Sequence, residues 1–124
     1  MIREGHSERL RPEDRVRRKA DFDEAYAHGV RVPSRSFTLI IRDAGRGRVR
    51  LGVTVSKSVG NAVVRNAVRR RVREVFRRSR EVVLQPVDII FHLRPQAAAA
   101  RYDVLREEFR EAMVRYWERQ ERRR

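Results

Sequence analysis

The stretch from Ala62 to Arg80 constrains the fold more than any other. Val64, Val68, Val72, Val75 and Phe76 recur at i, i+4, i+8, i+11 and i+12, the spacing of one face of an α-helix. Arg69, Arg70, Arg73, Arg77, Arg80 and Asn66 fall on the opposite side. A helix so patterned gains most of its stability by burying the apolar stripe against another element, and this valine stripe suits a sheet. From Arg65 to Arg80 there are eight arginines and one acid, Glu74, a net +7 over 16 residues. At the rise of an α-helix this is a basic ridge about 24 Å long. Arg65, Arg69, Arg73 and Arg77 stand at i, i+4 and repel by a few tenths of a kcal/mol per pair. A polyanion along the ridge would relieve that repulsion and release counterions. Solvated helix faces usually mix signs, as Arg106 to Glu111 does, so a ridge of one sign reads as a nucleic-acid contact.

The rest of the composition agrees. The 124 residues carry 31 Lys plus Arg against 17 Asp plus Glu, a formal charge of +14. An imbalance of this size raises self-repulsion in the free protein and points to a polyanionic partner. Only Lys19 and Lys57 are lysine. The remaining cations are guanidiniums, which fork onto phosphate and stack on bases. The absence of cysteine excludes disulfides, thiolate zinc sites and cysteine nucleophiles. No apolar run approaches the roughly 20 residues of a membrane span, and the charged N-terminus lacks the apolar middle of a signal peptide. The expectation is a cytoplasmic protein without a membrane role.

The length suits one domain. Residues 1–14 are polar and unpatterned and read as a flexible extension, residues 15–120 as the domain, and residues 121–124 as a basic tail. Phe22, Ala25 and Tyr26 form a short helical stripe over Asp21 to His28, with Gly29 as a stop. Val30 and Val32 alternate before Pro33. Phe37 to Ile41 is short, apolar and β-branched, and Asp43 to Gly47 is a turn cluster. Arg48 to Val55 alternates with period two, so that Phe37–Arg42 and Arg48–Val55 read as an antiparallel hairpin. Val87 to Leu93 is a further strand. Asp103 to Arg119 is an amphipathic helix with Leu105, Phe109, Ala112, Met113 and Tyr116 inward and Asp103 as N-cap. The order, helix, three strands, helix, strand, helix, predicts an α+β sandwich: one sheet of about four strands with helices on one face.

No catalytic constellation is present. The acids are scattered beside arginines, and His6, His28 and His92 fall in a tail, at a helix end and in a strand. There is no Walker loop, dinucleotide fingerprint or nucleophile elbow. The reading is a binding subunit with no catalytic residue, no metal ligands and no cofactor of its own.

Lys57, Gly60, Asn61, Ala62, Val63, Arg65, Asn66, Arg69, Arg70, Arg73 and Glu74 spell K-x-x-G-N-A-V-x-R-N-x-x-R-R-x-x-R-E. This resembles the signature of the bacterial ribonuclease P protein component. The resemblance extends over Arg15 to Gly29, where F-x-x-x-Y precedes H-G, over Ser34-Arg35-x-Phe37, and through Val87 to Pro95. It implies a protein that joins a catalytic RNA in removing the 5′ leader of precursor tRNA, with the chemistry performed by the RNA and its Mg²⁺. It implies that Arg65, Asn66, Arg69, Arg70 and Arg73, continued by Arg77, lie on the catalytic RNA. It also implies that Phe22, Tyr26, Arg35, Phe37 and Lys57 surround the single-stranded leader. It further implies a left-handed strand–helix–strand crossover, against the usual rule, and a monomer in a 1:1 complex with the RNA. On spacing alone Phe22 and Tyr26 read first as helix core, and Phe37, alternating with Leu39 and Ile41, reads equally as buried. The alternative function is a generic basic RNA-binding or ribosome-associated protein. A membrane-surface protein and a self-sufficient nuclease fit less well, the first for want of an aromatic and leucine face, the second for want of clustered carboxylates.

Overall fold

The computed structural model of the chain describes residues 10–123. Its elements are α1 (Lys19–His28), β1 (Val30–Pro33), β2 (Phe37–Arg42), β3 (Arg50–Thr54), α2 (Ala62–Arg78), β4 (Asp88–Leu93) and α3 (Tyr102–Arg122). This is the expected order of helices and strands, with four strands in one sheet.

The pairing corrects the expected hairpin. The sheet order is β1-β2-β4-β3. β2 pairs with β1 and β4, both antiparallel, while β3 pairs with β4 in parallel. β4 therefore separates Phe37–Arg42 from Arg48–Val55. The reason lies in burial. Leu39, Ile40 and Ile41 of β2 and Ile89, Ile90 and Phe91 of β4 are buried on both sides of the sheet. Runs apolar on both faces need neighbours and cover on both faces, and so take the centre. β3, with Gly52 and Thr54 on one face, serves as an edge. Parallel neighbours require a long crossover, and α2 supplies it between β3 and β4.

The register sorts side chains into two faces. Phe37, Leu39 and Ile41 of β2, Ile89, Phe91 and Leu93 of β4, and Leu51 of β3 join one core with Val68, Val72, Val75 and Phe76 of α2 and Leu105, Phe109, Ala112 and Met113 of α3. Ile40 and Ile90 point the other way and meet Ala25 of α1, with Phe22 and Tyr26 beside them. The expectation of helices on one face thus holds for α2 and α3 and is corrected by α1, which lies on the opposite face. Its stripe is too short to seal that face.

Of the expected 1–14 extension, residues 1–9 lie outside the described residues. Pro12–Asp14 form one 3₁₀ turn, and Leu10 packs against the main core. Val16 N–H then donates to Leu51 O at 2.8 Å, fixing the chain to the outer edge of β3. At the other end α3 continues to Arg122, into the expected tail. Its N-cap is Arg101. Asp103 instead sits in the first turn, where its charge suits the helix dipole.

Candidate nucleic-acid interface

The entry to α2 explains much of its motif. Gly60 has φ +153°, and a Cβ there would approach Val64 Cγ1 to 2.8 Å, so the position takes glycine. Asn61 is the N-cap, its Oδ1 accepting from Val64 N–H at 3.0 Å. Arg65 Nη1 donates to Gly60 O at 2.8 Å, and Arg69 Nη1 donates to Asn66 Oδ1 at 2.8 Å. Gly60, Asn61 and Arg65 therefore set the start and direction of the helix.

Further along, the arginines divide. Glu74 accepts from Arg77 Nη2 at 2.6 Å and from Arg78, and these bonds, Arg77 first, hold its carboxyl below the usual range. Arg71 turns to the flank and donates to Ala98 O at 3.3 Å. Arg70 and Arg73 have no hydrogen-bond or ion-pair partner among the described residues. Burial, then repulsion from Arg15, Arg69 and Arg70, lowers the Arg73 pKa from its ordinary value. Glu74 lies beside this cluster but is engaged by Arg77 and Arg78, and guanidiniums that repel one another are relieved by an anion.

The second face of the sheet holds the aromatics. Phe22 lies over Gly52 of β3, and a Cβ at that position would come within 3.1 Å of its ring and of Ile90 Cγ1. The glycine thus allows helix and strand to approach closely. Tyr26 reaches the next row, where its hydroxyl meets Thr54 Oγ1 at 3.0 Å and His92 Nδ1 at 2.6 Å. Arg31 stands over the Tyr26 ring at 5.7 Å. Row by row this face reads Arg42, Asp88, Arg50; then Arg31, Ile40, Ile90, Gly52; then Pro33, Thr38, His92, Thr54. The first row is closed by a buried ion pair: Arg50 donates to both Asp88 oxygens at 2.8 and 2.6 Å and to Asp21 of α1 at 3.4 Å. The last row is open.

Arg35 and Lys57 flank that open end. β1, β3 and β4 run toward it and β2 starts from it, so Arg35, exposed in the β1–β2 turn, and Lys57, exposed just after β3, both border it. Ser36 anchors the turn, its N–H and hydroxyl donating to the Glu108 carboxylate at 2.8 and 2.9 Å. Phe37 does not belong to this group. It points to the α2–α3 face, fully buried, with its ring 5.0 Å from that of Phe91. Its expected leader contact is corrected to a core role, because odd and even residues of a strand face opposite ways.

Ridge and cleft are continuous. Arg15, Arg17, Phe22, Gly52, Arg69 and Arg73 line one depression along the outer edge of β3. Sequence reasoning missed Arg15, Arg17, Arg31, Thr54 and His92. The alternation of Ile90 and His92 against Ile89 and Phe91 was the one available sign that His92 faces α1. Among the described residues no three His, Cys, Asp or Glu side chains gather as metal ligands, and no helix is long and apolar enough to cross a membrane.

Comparison with known proteins agrees with this geometry. The family model described as Ribonuclease P matches residues 10–117. The ribonuclease P protein component of Syntrophus aciditrophicus is 33% identical over 99 residues, covering 79% of this chain and 83% of that protein. That of Pseudarthrobacter chlorophenolicus is 39% identical over 105 residues, covering 84% and 77%. Among solved structures, the RNase P protein of Staphylococcus aureus superposes with a TM-score of 0.73 at 29% identity, covering 82% of this chain and 93% of its own. That of Thermotoga maritima gives 0.74 at 28%, covering 82% and 96%. The arginine motif at the head of α2, the four-stranded mixed sheet with its parallel crossover and the match across nearly all described residues converge, and the chain belongs to the ribonuclease P protein family.

Proposed function

We propose that this protein is the RNA-binding subunit of a ribonuclease P that removes the 5′ leader of precursor tRNA. Arg65, Asn66, Arg69, Arg70, Arg73 and Arg77 face the catalytic RNA. Phe22 and Tyr26, bordered by Arg35 and Lys57, hold the leader. The observation that carries this reading is the shared depression beside β3, where arginines of α2 and Phe22 of α1 line one surface. A strand of RNA crossing it meets phosphate-binding guanidiniums on one side and a stacking aromatic on the other, the combination that holds single-stranded nucleic acid. Cleavage itself is assigned to the RNA and its Mg²⁺, with the protein as a single copy per RNA in the cytoplasm. The protein lowers repulsion between two RNAs and favours precursor over product, because the product lacks the leader.

Reconstitution tests this. The protein is mixed with a bacterial ribonuclease P RNA and precursor tRNA at low Mg²⁺, with each component omitted in turn. Cleavage at the mature 5′ end is expected only with both protein and RNA, and it falls when Arg69→Glu and Arg73→Glu are combined. Cleavage by the protein alone would reveal an active site within it. No gain over RNA alone would leave a generic basic RNA-binding protein.

A further inference from the structure

His92 stands out on the open face. In β4 only this side chain is exposed, although β4 is a central strand with neighbours on both sides. α1 covers the adjacent row at Ile40 and Ile90, and of its side chains Tyr26 reaches on to Thr54 and His92. The imidazole therefore forms the floor of the cleft, beside Tyr26.

Its ring is not loose. Tyr26 and His92 meet edge to face, with centroids 5.6 Å apart and planes at 82°, and Tyr26 Oη lies 2.6 Å from Nδ1. The phenol oxygen meets both Thr54 Oγ1, at 3.0 Å, and His92 Nδ1, and the direction of the second bond follows the imidazole tautomer. With Nδ1 held by Tyr26, Nε2 is the ring nitrogen left to bond elsewhere, and it has no hydrogen-bond partner among the described residues. Three strands and a helix thus combine to hold Tyr26 upright and to present one unsatisfied nitrogen into the cleft.

We infer that His92 is a leader-contacting residue. Its Nδ1 positions the Tyr26 ring, and its Nε2 makes a hydrogen bond with an unpaired leader nucleotide, at a 2′-hydroxyl or a base edge. This rests on the proposed leader cleft and adds to it a contact able to discriminate nucleotides, which stacking on Phe22 and Tyr26 does only weakly.

The test uses protein assembled with ribonuclease P RNA and compares affinity for precursor tRNA with affinity for mature tRNA. His92→Ala is expected to weaken precursor binding about threefold to tenfold, the worth of one hydrogen bond, and to leave mature tRNA unchanged. His92→Asn keeps a polar partner for Tyr26 but does not reach the Nε2 position, and recovers part of the loss. Single 2′-deoxy or base replacements along the leader should reveal one position that matters to wild type and not to His92→Ala. An unchanged precursor-to-mature ratio in His92→Ala, or an equal loss on both tRNAs, overturns the inference. Complete recovery by His92→Asn overturns the direct contact. A wild type that itself ignores the leader overturns the function proposed above as well. If His92→Ala fails to fold, His92→Asn with the nucleotide series decides the same question.

Discussion

The two faces of the sheet are built from the same four strands and end in opposite states. Toward α2 and α3, the side chains of Phe37, Leu39, Ile41, Ile89, Phe91 and Leu93 meet two long amphipathic helices and are sealed from water. Toward α1, one ten-residue helix covers Ile40, Ile90 and Gly52. The remaining rows of that face hold either a neutralised ion pair, Arg50 with Asp88, or polar groups at the open end, Thr38, His92 and Thr54, the last two bonded to Tyr26. The difference teaches how a small domain can separate stability from the binding proposed for its open face. One face carries the core, and the other can keep aromatics half-buried because the fold does not depend on closing it.

The largest expected effect tests the sealed face. Phe91 packs between Phe37 and Phe109, with ring centroids at 5.0 and 5.2 Å. Phe91→Ala should cost about 3–5 kcal/mol of stability, read as a lowered denaturant midpoint, with RNA binding lost only to the extent that the protein unfolds. A change confined to RNA binding would break the division between faces.

Next comes the closed end of the recognition face. Asp88→Asn removes the nearer negative charge and leaves the buried Arg50 guanidinium with the more distant Asp21, at 3.4 Å, as its carboxylate partner. Stranding a buried charge costs about 3 kcal/mol. Thermal melting should show this, and the double replacement Arg50→Met with Asp88→Leu should recover much of it. No loss in the single variant would mean that water reaches the pair.

A smaller effect falls on recognition alone. Phe22→Ala should lower precursor affinity by about 1–3 kcal/mol, the worth of one stacked base, with mature tRNA binding intact. Equal losses on the two tRNAs would place Phe22 among the structural residues and merge the two faces in kind.

The smallest effect concerns pH. Glu74 is held below its ordinary value of 4.5, first by its bond from Arg77. Its contribution is therefore present above that value and is lost as pH falls through the lower folded value. The side chain is partly exposed, so the effect is slight. Glu74→Gln should be slightly less stable than wild type at neutral pH and equal to it in acid. A difference that persists in acid would show that packing, rather than charge, links Glu74 to its arginines.

The amphipathic period of Ala62 to Arg78 determined by itself that this segment is a helix, that Val68, Val72, Val75 and Phe76 are core and that the basic ridge lies opposite them. A local repeat encodes a local structure, and the charge of the ridge follows from the residues alone. The order of elements and the family motif were equally legible. The α3 stripe was too, for Leu105, Phe109, Ala112, Met113 and Tyr116 are all buried. The pairing of strands was not. Nothing near Phe37–Arg42 announces that β4, about fifty residues later in the chain, will lie between it and Arg50–Thr54. That insertion depends on which strands need cover on both faces, a property of the whole sheet. It also decided the site. Placing β4 at the centre brings His92 to Tyr26 and Asp88 to Arg50, and it turns Phe37 into the core beside Phe91. Periodicity tells which residues of a strand share a face, but only the packed sheet tells which helix that face will meet.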